Sequence, residues 1–215
     1  MGAMAARAAF SRFTLRVPDS WFEFDVWRAT RTGDLARLVD ARIAKCPGLR
    51  PHRATLLTLL REVAERAERR GAVYCATATQ DEAGTGGVVA TLLVFHTPGD
   101  DDPANNTVLA IAGQITAVAR SEEPATPWRS VEIVTVPAGE AVRVQGVERN
   151  LVDGVPFDSV TMQTLVPVPT ESDDSVGADG VLNVVLTSPH VALADGVLDL
   201  FAAISDTLAW SADPA

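Results

Sequence analysis

From Val181 onward, apolar residues first alternate and then recur at longer spacing. Leu182, Val184 and Leu186 share one face against Val181, Asn183 and Val185. This is strand periodicity with one fully apolar face. Ser188-Pro189 breaks it. Leu193, Val197, Leu200, Phe201, Ile204 and Leu208 then recur at a period of about 3.6 residues, which predicts one long amphipathic helix ending at Trp210. A strand face and a helix stripe of this kind can bury one another, and further strands can extend the sheet.

Earlier in the chain, Phe13, Leu15 and Val17 alternate with Arg12, Thr14 and Arg16, and Phe22, Phe24 and Val26 alternate with Trp21, Glu23, Asp25 and Trp27. With Pro18-Asp19-Ser20 as a turn, the pattern predicts a hairpin with an inward aromatic face. Asp34 opens a helix carrying Leu35, Leu38, Val39 and Ile43, stopped by Cys46-Pro47-Gly48. A second helix is predicted over 53–70, with Leu56, Leu60, Val63 and Ala67 as its stripe and Gly71 as its left-handed stop. Segments 72–79 and 88–96 read as strands, the second apolar on both faces and therefore central. A helix is expected over 106–120, then short strands over 131–136, 142–147 and 160–166.

The order β-β-α-α-β-β-α-β-β-β-β-α joins most strands through short turns, which means antiparallel pairing. The expected class is α+β, an antiparallel sheet of about seven or eight strands flanked by helices. Nothing resembles a linker between two cores, so 12–210 is expected to be one domain. Residues 1–11 are then a disordered N-terminus or expression remnant, and 211–215 a tail.

Composition fits that class: 215 residues, 47% hydrophobic and 21% charged. Arginine in place of lysine, beside abundant alanine and valine, points to a GC-rich and specifically actinobacterial genome. The net charge of −10 is uneven. Residues 1–70 hold 14 basic and 8 acidic side chains, whereas residues 71–215 hold 4 and 20. This balance argues against nucleic-acid binding; either the two halves touch in the fold and their charges partly compensate, or an acidic face favours a protein partner with a basic patch. No run approaches the roughly 20 apolar residues of a membrane helix. With only Cys46 and Cys75 and no visible secretory leader, a cytoplasmic address with two free thiols is expected.

No constellation of catalytic residues emerges. Gly84-Thr85-Gly86-Gly87 leads into a strand, whereas a phosphate loop needs a helix N-terminus behind it. His52, His96 and His190 lack metal-ligand spacing. Asp100-Asp101-Asp102 lacks the glycine and distal glutamate of a calcium loop, and reads as a solvated acidic run. Neither a cofactor nor a metal is expected. Trp21, Trp27 and Trp128 are candidates for a contact surface, together with Asp100, Asp101 and Asp102.

The element order, the Pro18-Asp19-Ser20-Trp21 turn, the late run of strands and the Phe201…Trp210 segment resemble the Mog1/PsbP-like fold, in particular small actinobacterial proteins of the LpqN-like group. The resemblance covers most of the chain. It implies a sheet of seven or so antiparallel strands between helices, and a role in binding rather than chemistry. Unlike the LpqN-like lipoproteins, this sequence shows no leader and no lipid-attachment cysteine. The expected function is non-enzymatic: an interaction or accessory protein offering a sheet face or edge, and its acidic surface, to a protein partner. The alternative is a small-molecule carrier with a cleft between sheet and helix.

Overall fold

The computed structural model describes residues 13–24, 26, 34–45, 47–78, 88–121, 128–152, 155–169 and 178–211. Strands are β1 (Phe13–Thr14), β2 (Phe22–Phe24), β3 (Tyr74–Ala78), β4 (Ala90–Pro98), β5 (Trp128–Val136), β6 (Gly139–Val152), β7 (Val155–Pro169), β8 (Ala178–Ser188) and β9 (Ala209–Trp210). Helices are α1 (Asp34–Lys45), α2 (Arg53–Arg69), α3 (Val108–Ser121) and α4 (Ala194–Ser205). The class is α+β as expected, with a seven-stranded sheet in the order β2-β3-β4-β8-β7-β6-β5 and a separate β1-β9 pair. Contacts divide the chain into two compact units, Val17–Phe95 and Met1–Arg16 with His96–Ala215.

In the unit Val17–Phe95, most of each stripe read from the sequence is the core, while Leu38 and Val63 are only partly buried beside it and Ala64 is buried instead. Leu35, Val39 and Ile43 of α1 meet Leu56, Leu60, Ala64 and Ala67 of α2, with Phe22, Val26 and Cys75. A 3-10 turn, Pro47–His52, joins the two helices. The Arg53 guanidinium donates to both carboxylate oxygens of Asp40, at 2.6 and 2.9 Å. Gly71 ends α2 with φ of 77°. The Gly71 amide donates to the Glu68 carbonyl and the Ala72 amide to the Ala67 carbonyl, closing the last turn.

In the other unit, β5 to β8 form an antiparallel meander. Ile111 of α3 packs on Val142 and Val144, with Ile115, Val131 and Leu165 around them. Met162 projects from the opposite face of β7, since side chains alternate along a strand, and accepts a hydrogen bond from the Ser205 hydroxyl of α4. Val197, Phe201 and Ile204 of α4 are all buried.

Two expectations fail. Phe13–Thr14 and Phe22–Phe24 do not form a hairpin. β1 pairs with β9, placing Phe13 opposite Trp210, and β2 pairs with β3. The final helix also stops early, at Ser205, and Leu193 lies outside it, 56% exposed. Ser205, Asp206 and Thr207 have side chains that compete with helical hydrogen bonding. The Thr207 hydroxyl donates to the Ile204 carbonyl at 2.7 Å, and the Leu208 amide turns back to the Ser205 carbonyl at 3.0 Å. Leu208 is still buried, but from the turn. Trp210 becomes a strand residue, and its indole N–H donates to the Ala138 carbonyl at 2.7 Å.

Candidate interaction edge

β5 ends the sheet, and among the described residues no strand lies on its outer side. It pairs with β6 through nine consecutive positions, from Trp128 opposite Val147 to Val136 opposite Gly139, without a bulge. Val131, Ile133, Val134, Thr135 and Val136 supply the β-branched side chains that favour extended backbone. Alternate residues of such an edge turn their N–H and C=O groups away from the sheet. Among the described residues, β5 therefore presents a row of backbone donors and acceptors with no strand paired to them.

The side chains along this edge are also unusual for a solvated strand. Trp128 is 41% exposed and Ile133 46%. They lie on opposite faces, because their positions differ by an odd number. Glu132 is exposed, and its cross-strand partner is Arg143 of β6. Arg143 is buried and donates to Asp206, just beyond α4, at 2.6 Å. That ion pair ties the end of α4 to the strand beside β5. Among the described residues, the buried Nε of Arg129 has no hydrogen-bond partner. On the next hairpin, Arg149 donates to both carboxylate oxygens of its cross-strand partner Asp158, at 2.9 and 3.1 Å. The adjacent guanidinium holds the Asp158 carboxyl below its ordinary range.

The remaining candidates fall elsewhere. Trp21 is 6% exposed, packed in the unit Val17–Phe95, with its carbonyl accepting from Arg42 at 2.8 Å. Trp27 lies outside the described residues. Asp100, Asp101 and Asp102 are exposed as expected, but two of the carboxylates organise their own loop. Asp100 accepts from the Asp102 amide at 2.9 Å, and Asp102 accepts from the Ala104 amide at 3.0 Å. Asn106, buried, brackets the loop by accepting from the Asp100 amide and donating to the Asp100 carbonyl. The Asp102 amide holds the Asp100 carboxyl below its ordinary range. Of the described candidates, Trp128 alone lies on the free edge. Its place there was missed because the sequence reading starts this strand at Val131, and edge position is decided by topology.

The fold and this edge define an α+β protein whose antiparallel sheet ends in a long, accessible strand. No family model and no curated protein matches the chain. Among solved structures it is similar to LpqN of Mycobacterium tuberculosis, described as involved in cell envelope biogenesis, at 13% identity. That likeness covers 93% of this chain and 83% of the other, with a TM-score of 0.47.

Proposed function

We propose that the protein acts by binding another protein, and that the partner adds a strand to β5. One observation carries the reading: a nine-residue edge strand with an apolar side chain exposed on each face. Main-chain hydrogen bonds would supply affinity, while Trp128 and Ile133 would supply selectivity through alternate side chains. This reading shifts the weight from the Asp100–Asp102 run, two of whose carboxylates already accept loop amides, to the sheet edge. Binding without catalysis, a cytoplasmic address and kinship with the Mog1/PsbP-like group belong to the same proposal. Those three rest on the sequence.

The test is photo-cross-linking in the native cell. A photoreactive phenylalanine derivative replaces Trp128 or Ile133, and Leu59, 46% exposed on α2, serves as control. Adducts of one protein from both β5 positions, absent from position 59, are expected. Lack of any adduct from β5, or the same adducts from all three positions, would contradict the proposal.

A further inference from the structure

We infer that Gly146 of β6 is a positioning residue for the binding edge, setting how Trp128 is presented. The inference rests on the edge reading above and concerns the geometry of that same strand, whatever protein is seated on it.

Glycine weakens a strand interior, and where it is found there another backbone often comes close. Gly146 lies inside β6, opposite Arg129 of β5 on one side and Thr161 of β7 on the other, and it is buried. Among the described residues, the glycines with left-handed backbone are Gly71, Gly139 and Gly180, so Gly146 is not held by a special conformation. What the position uses is the missing side chain. A Cβ there would meet the Trp128 carbonyl oxygen, with the Arg129 Cα at 3.0 Å and the Trp128 carbonyl carbon at 3.1 Å. All three atoms are backbone, and none can swing aside as the end of a side chain can.

Position 146 shares its face of β6 with Val142 and Val144, on which Ile111 of α3 packs. The first residues of β5 therefore lean over β6 towards that face, into the place a side chain would take. Trp128 is opposite Val147 and projects from the other face. The lean thus sets the angle at which its ring leaves the rim of the sheet, where it is 41% exposed. Val131 to Val136 pair with Val144 to Gly139, beyond the reach of a methyl at 146. Gly146 divides the edge into a Trp128 end that depends on it and an Ile133 end that does not.

The test is Gly146→Ala in the full chain, read in two ways. Hydrogen exchange on the variant alone reads the β5–β6 ladder. Cross-linking in the native cell reads the edge, with the photoreactive residue at 128 or at 133. A replacement at 128 leaves the close approach intact, because main-chain atoms make it. Amides paired between Trp128–Ser130 and Gln145–Val147 should exchange about tenfold faster or more. Those between Val131–Val136 and Gly139–Val144 should keep their protection. The adduct from position 128 should be lost and that from 133 retained. Gly113→Ala, whose Cβ faces open space, should leave both adducts in place. Unchanged exchange at the Trp128 end, or an undiminished adduct from 128, would overturn the inference. So would protection lost throughout β5, β6 and β7, which would make Gly146 a general packing residue. Wild type without adducts from either position would sink the edge reading alone, and the exchange would still decide whether Gly146 seats the Trp128 end.

Discussion

Burial sets the chemistry of Cys75, which has no exposed surface and whose thiol is pushed up to about 12 from an ordinary value of 9.0. The cause is desolvation of the thiolate. Below about pH 9 the thiol is protonated in both states and contributes its full stability. Above it the unfolded chain ionises while the folded chain keeps its proton, so stability falls as pH rises towards 12. Burial pushes Tyr74 upward as well, adding to the same trend from about pH 10. Urea midpoints between pH 8 and 10.5 should decline less steeply in Cys75→Ala than in wild type. Equal slopes would mean that the thiol meets water. Phe201 is likewise fully buried on α4, and Phe201→Ala should cost about 3–5 kcal/mol by urea denaturation. A loss under about 1 kcal/mol would mean that its site collapses around the gap.

Glycines separate two kinds of constraint among the elements. Gly180, in β8, has φ of 133°, and a Cβ there would meet the Thr97 carbonyl oxygen and, at 2.8 Å, the His96 Nε2. Gly180→Ala should therefore destabilise by about 1–3 kcal/mol. Gly113, inside α3, faces open space. Gly113→Ala should stabilise by about 0.5–1 kcal/mol through helix propensity. Thermal melts of the pair check both signs, and a destabilised Gly113→Ala would contradict the open space on that side of α3. Elements with a clean period and a recognisable stop were legible in the sequence: α1, α2 with Gly71, and the run of late strands. Long-range pairing was not. Nothing local in Phe13–Thr14 points to Ala209–Trp210, nearly the whole chain away. The β6–β7 pairing, which runs to Val152 opposite Val155, was not read either. The sequence reading left the segment around it unassigned. At the site, Trp128 was legible as a candidate, whereas its neighbour Ile133 read as an ordinary strand residue because the meander order makes β5 the edge.

Charge acts on the whole molecule. A net charge of −10 favours a basic partner, so association through β5 should weaken with added salt. Binding of the cross-linked protein measured at low and high salt checks this, and an affinity flat with salt would remove the charge from the account. The account as a whole rests on β5 being open in the free chain and paired in the bound one. Residue-resolved hydrogen exchange reads this directly, on the dilute chain and again with the cross-linked partner in excess. The account predicts that outward-facing amides between Trp128 and Val136 exchange quickly in the dilute chain and slow markedly on binding. Amides of β6 and β7 should stay protected throughout. Unchanged exchange along β5 when the partner is bound would contradict it.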